Sequence, residues 1–173
     1  MERRFAWIVA VAALLSAPAA AETPVERGKY LVTIGGCSDC HTPGSFLGKP
    51  DMSRFLGGSD VGFAIPGLGV FVGRNLTPDK ETGLGGWTDE QVVAAITTGL
   101  RPDGRTLAPI MPWQALSQLT PDDARAIVAY LRSIPPVKHA VPGPFAPSDK
   151  PSVLVFTVLP GEVYAGLPKP PTK

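Results

Sequence analysis

The sequence predicts an all-α, loop-rich domain of short helices followed by a proline-rich extension, on three observations. Hydroxyl-capped helix starts occur at Thr23, Thr88 and Thr120, each leading into apolar residues at helical spacing. The 20 prolines and 19 glycines of the 173-residue chain crowd the segments between these starts, so turns and loops make up the larger part of the fold. Ten of the prolines lie from Pro135 onward, where helix should stop. This composition excludes a long-helix bundle, and an apolar content of 44% excludes full disorder. A chain so rich in turns fills its core poorly alone and gains from a bound group at its centre.

Residues 1–21 read as an export leader. Glu2-Arg3-Arg4 is a short charged start, Phe5 to Leu15 is an apolar run, and Ala19-Ala20-Ala21 forms a small-residue cleavage pattern before Glu22. The stretch from Phe5 to Ala21 is Ala-rich, carries Pro18 and falls short of the ~20 residues of a spanning helix. The mature chain is therefore expected to begin near Glu22 in the periplasm, with membrane contact only through partners. The whole chain carries a net charge of +1, and Glu2, Arg3 and Arg4 all belong to the leader, so the mature part is neutral. A nucleic-acid binder that reads phosphates is disfavoured.

Thr23-Pro24-Val25-Glu26 combines a cap, a proline at the first helical position and an acid that closes a capping box. Val25, Gly28, Leu31 and Gly35 follow at helical spacing, and Gly28 admits a close crossing helix. Gly35-Gly36 ends the helix, so Cys37 and Cys40 sit just past it. From Thr42 to Leu84 no helix is expected. Val61, Phe63 and Ile65 alternate, Pro66-Gly67 turns and Val70 to Val72 returns, which suggests a short hairpin. Asn75 to Asp79 reads as a turn.

Thr88 to Gln91 is a second capping box, followed by Val92, Ala95 and Ile96 and ended by Gly99. Thr120-Pro121-Asp122-Asp123 starts a third helix with an apolar face of Ala124, Ile127, Val128 and Leu131, stopped by Pro135-Pro136. Tyr30 and Leu131 are expected to pack the crossing of the first and last helices. The domain thus spans residues 22–134 and the extension residues 135–173. Within the extension, Val153 to Leu159 has strong strand propensity. Such a segment can cover this domain or grip a partner, and with the domain complete at Pro135 the second is expected.

The two cysteines are three apart in Cys37-Ser38-Asp39-Cys40-His41, the C-x-x-C-H pattern of covalent haem attachment. Thiols one helical turn apart can add to two vinyl groups of a porphyrin, and the histidine that follows is placed to bind the iron. A thioredoxin-like dithiol would need a βαβ pattern around the motif. Zinc would need a fourth ligand, and only His139, in the extension, is available.

At these residues the chain resembles a mono-haem class I c-type cytochrome, similar to the cytochrome domains of bacterial periplasmic alcohol and gluconate dehydrogenases. The likeness runs from about Arg27 to Pro136. It is carried by R-G-K-Y-L-V-T-I-G-G-C-S-D-C-H-T-P at 27–43, N-L-T-P-D at 75–79, G-W-T-D-E-Q at 86–91 and R-P-D-G-R-T-L-A-P-I-M-P-W at 101–113. Those dehydrogenase subunits commonly repeat the domain, whereas this chain has one haem motif.

The resemblance implies a class I cytochrome c fold around one covalent haem c, with His41 and a methionine as axial ligands. Met52 lies too few residues beyond His41 to wrap round the ring, and His139 lies beyond the Pro-Pro stop. Met111, between Pro109 and Pro112, is the expected ligand. Arg74, Arg101, Arg105 and Trp113 are candidates to bond the propionates. The implied role is one-electron transfer, not catalysis, from a dehydrogenase donor to an oxidase or cytochrome acceptor. The alternative is a five-coordinate haem enzyme or a gas or peroxide sensor in which Met111 does not bind.

Overall fold

The computed structural model describes residues 21–168; apart from Ala21, the leader lies outside them. The first helix, α1 (Pro24–Ile34), starts as its capping box predicts. Thr23 Oγ1 accepts from the Glu26 amide at 3.2 Å while the Glu26 carboxylate accepts from the Thr23 amide at 2.9 Å. A separate single turn, α2 (Cys37–His41), follows. Gly36 makes this break possible, since its φ of 62° lies in the left-handed region. Two 3-10 turns, Ser45–Leu47 and Met52–Arg54, lead into a hairpin of β1 (Val61–Ile65) and β2 (Gly69–Val72).

α3 (Asp89–Thr98) carries the second capping box and ends on Gly99 at φ 75°. A short turn, α4 (Trp113–Leu116), precedes α5 (Pro121–Ser133), which is capped by Thr120. β3 (Leu154–Phe156) and α6 (Gly161–Ala165) complete the order. Val32 of α1, Val92 of α3, Ile127, Val128 and Leu131 of α5, and Leu56 from the loop form one buried cluster. Arg132 ties α5 to the segment before α3. It donates to the carbonyls of Leu84 at 2.7 Å and Trp87 at 2.6 Å and pairs with Asp89 at 3.0 Å.

Three expectations are corrected. The fold is not all-α, because the loop-rich middle contains a three-stranded sheet in the order β2-β1-β3. β1 and β2 pair antiparallel, with Phe63 opposite Phe71, while β1 and β3 pair parallel, with Val61 opposite Leu154. A lone hairpin is marginal in water, and the third strand supplies the missing support. That strand also corrects the partner-gripping role expected for Val153 to Leu159, since the segment pairs within its own chain. Phe156 closes an aromatic cluster with Phe46 and Phe63, at ring-centroid distances of 6.4 and 5.9 Å. Finally, Tyr30 does not pack the helix crossing. Gly28 and Val32 face α5, which turns Tyr30 outward, 51% exposed, under the Arg27 guanidinium.

Candidate functional site

α2 presents Cys37 and Cys40 as free thiols one turn apart. Burial pushes both thiols above their ordinary pKa, with smaller contributions from Asp39, so they remain protonated near neutrality. His41 ends the turn. Its Nδ1–H donates to the Arg74 carbonyl at 2.6 Å, which leaves Nε2 as the lone-pair nitrogen. Desolvation holds the ring below its ordinary pKa, against the opposing pull of that carbonyl. A neutral imidazole with a free Nε2 is the form a metal ligand needs.

The backbone around α2 is closely fitted. The Gly58 amide donates to the His41 carbonyl at 2.8 Å, and the Leu56 amide donates to the buried Thr42 hydroxyl at 3.0 Å. Gly73 passes so near that a Cβ there would lie 1.8 Å from the Cys40 carbonyl oxygen, so only glycine fits.

Arg74, Arg101 and Arg105 are close enough together that the latter two depress the Arg74 pKa, after the larger effect of burial. Each already has protein acceptors. Arg74 Nη1 donates to the carbonyls of Val141 and Pro142. Arg105 pairs with Asp103 at 2.7 Å and Arg101 pairs with the same carboxylate at 3.3 Å. Asp103 is held well below the usual carboxylate range, chiefly by the Arg105 hydrogen bond. Arg101 also stacks over the Trp87 ring, 5.4 Å from its centroid.

Trp113 packs on Gly99, where a Cβ would fall 2.8 Å from the indole ring. Its Nε1 is buried without a hydrogen-bond partner among the described residues. An orphaned buried donor is costly, and a carboxylate brought beside it by a bound group would satisfy it. Two residues before it, half-buried Met111 sits in a tight turn: its amide donates to the Ala108 carbonyl at 2.9 Å and its carbonyl accepts from the Trp113 amide at 2.8 Å.

The other candidates are placed elsewhere. Met52 is 64% exposed and lines a cavity of about 210 Å³ with Ser38, Asp39 and Phe55. His139 donates through Nδ1 to the Gly57 carbonyl at 2.7 Å. Among the described residues no three His, Cys, Asp or Glu side chains converge, so the zinc reading finds no ligand set. Two thiols on one turn followed directly by a neutral imidazole are donors that fit haem c.

Sequence reasoning missed Asp103, Trp87, Gly73 and the two extension carbonyls on Arg74. The R-P-D-G-R spacing at 101–105 was the available signal for Asp103. Backbone carbonyls leave no signal in sequence.

Comparison with known proteins gives the family of the chain. The chain is 36% identical over 137 residues to the fructose dehydrogenase cytochrome subunit of Gluconobacter japonicus, covering 75% of this chain and 26% of that protein. It is 34% identical to the cytochrome c subunit of the quinone alcohol dehydrogenase of Gluconobacter oxydans, covering 67% and 23%. Identity is also 34% to the gluconate 2-dehydrogenase cytochrome c subunit of Pantoea cypripedii, covering 67% and 24%. The chain thus spans about a quarter of the length of these relatives. Residues 25–135, which hold the C-x-x-C-H turn, the Arg74 carbonyl and the Met111 loop, match the family described as Cytochrome c, and the chain belongs to that electron-transfer family, whose prosthetic group is haem c.

Proposed function

We propose that this chain is an exported one-electron carrier with a single covalent haem c, which accepts electrons from a periplasmic dehydrogenase and passes them to an oxidase or another cytochrome. The observation that carries the reading is the hydrogen bond from His41 Nδ1 to the Arg74 carbonyl, which leaves Nε2 available within the C-x-x-C-H turn. The dehydrogenase partner rests on the names of the relatives. Among the described residues no helix is long and apolar enough to cross a membrane.

Haem c, when bound, supplies a one-electron ferric/ferrous couple. Cys37 and Cys40 would hold it by thioether bonds, and His41 Nε2 would ligate the iron. Met111 would be the second protein ligand. Its thioether is a soft, neutral donor that favours the ferrous state and raises the potential. Trp113 Nε1 has donor capacity to spare, and the guanidiniums of Arg74, Arg101 and Arg105 would supply positive charge for the propionates. With His41 and Met111 both as ligands, the chain would leave no room for substrate at the metal.

Intact mass and the ferric visible spectrum test the proposal. Material matured by an export-competent host should weigh the polypeptide plus one haem and show low-spin bands with a weak sulfur-to-iron band in the far red. A Cys37–Cys40 disulfide without haem would sink the attachment reading. A high-spin spectrum that changes on adding carbon monoxide would replace the carrier by a five-coordinate enzyme or sensor.

A further inference from the structure

Residues 137–142 lie across both groups that hold His41. One is Gly58, whose amide donates to the His41 carbonyl at 2.8 Å. A Cβ on Gly58 would come within 2.2 Å of Val141 Cγ2, so the Val141 side chain rests directly on this glycine. The other is Arg74, whose carbonyl accepts from His41 Nδ1 at 2.6 Å. Its guanidinium is tied through Nη1 to the carbonyls of Val141 and Pro142.

The segment is itself fastened along its length. The Val137 amide donates to Thr77 Oγ1 at 3.0 Å, and the Val137 carbonyl accepts from Asn75 Nδ2 at 2.7 Å. The His139 amide donates to Thr82 Oγ1 at 3.0 Å, and the His139 ring donates to the Gly57 carbonyl at 2.7 Å. Asn75 and Thr77 are both buried, so the two bonds to Val137 have a partner sheltered from water and hold the segment in register.

We infer that residues 137–142 form a positioning strap for the haem-ligating histidine, acting through Gly58 on its backbone and through Arg74 on its ring. The inference rests on the ligation by His41 proposed above. A ligating imidazole that donates its second N–H to a fixed carbonyl is a more basic ligand held in one orientation. A more basic ligand favours the ferric state and lowers the potential. Loosening the strap should therefore free the ring N–H and raise the potential.

Val141→Gly tests this in the full-length haem protein without changing any charge, and Arg74→Lys keeps the charge while removing the guanidinium fork. Proton exchange is followed by NMR at the His41 ring N–H and the Gly58 amide, and the midpoint potential is measured on the same samples. In Val141→Gly both protons should exchange at least about tenfold faster, while the Ile127 and Val128 amides of α5 keep wild-type protection. The potential should rise in the same variant. Arg74→Lys should accelerate the ring proton more than the Gly58 amide. Wild-type exchange and potential in both variants would overturn the strap, and so would equal acceleration of the α5 amides, which would make the segment general packing. The absorption spectrum of the wild-type sample keeps the two readings apart: absence of any haem bands would overturn the ligation reading instead.

Discussion

Gly28 and Ala126 meet backbone to backbone: a Cβ added to Gly28 would lie 1.9 Å from the Ala126 carbonyl oxygen. No side chain can move aside to relieve such a clash, so Gly28→Ala must push α1 away from α5. Overpacking of this kind costs about 1–3 kcal/mol, and the upper end is expected here because the obstacle is backbone. Gly161→Ala is the control, since nothing lies within 4 Å of the added carbon. Denaturant unfolding should show a lower midpoint for the first variant and no change for the second.

Removal of Met111 separates the carrier from the enzyme reading. Met111→Ala should lose any sulfur-to-iron band, become partly high-spin, lower the potential and bind carbon monoxide. Met52→Leu should do none of this, because Met52 is mostly exposed and lines a cavity beside Ser38 and Asp39. A spectrum unchanged by Met111→Ala but lost with Met52→Leu would move the ligand to Met52.

Trp113→Phe keeps the packing on Gly99 but removes the orphaned N–H. If that donor serves a propionate, the variant loses a charge-assisted hydrogen bond, and the haem-loaded protein should be less stable by about 1.5–3 kcal/mol. Chemical unfolding followed at the main haem absorption band measures this. Unchanged stability would leave the indole with packing alone.

Acid titration should reveal Asp51. Its carboxylate accepts from the Ser53 hydroxyl at 2.6 Å and from Arg54 Nε at 2.7 Å. These bonds, the Ser53 hydroxyl foremost, lower its pKa from 3.8 to about 2. A folded-state pKa below the unfolded value contributes stability that is present above about pH 4 and is lost as pH falls towards 2. Asp51→Asn should therefore melt below wild type at pH 6, with the gap closing by pH 2. A gap independent of pH would contradict the assignment.

Much of this was legible locally. The caps at Thr23, Thr88 and Thr120 each read as helix starts because the signal and the structure lie within four residues of each other. The Pro66-Gly67 turn marked the hairpin for the same reason, and C-x-x-C-H marked the attachment turn. What escaped was pairing over distance. Nothing in Val61 to Phe63 announces that Leu154 to Phe156 will lie beside it, and a proline-rich stretch reads as a leash whether or not its carbonyls are engaged. Tyr30 escaped because only the contact at Gly28 fixes which side of α1 turns inward.

The parallel pairing of β1 with β3 imposes an order in time on the chain. Parallel neighbours so far apart in sequence join only after a long loop has closed, and such closures are slow. A polypeptide emerging N-terminus first has its attachment turn and its hairpin well before β3. The C-x-x-C-H turn is therefore made while β1 still has an open side, and the fold closes that side only when Leu154 to Phe156 arrive.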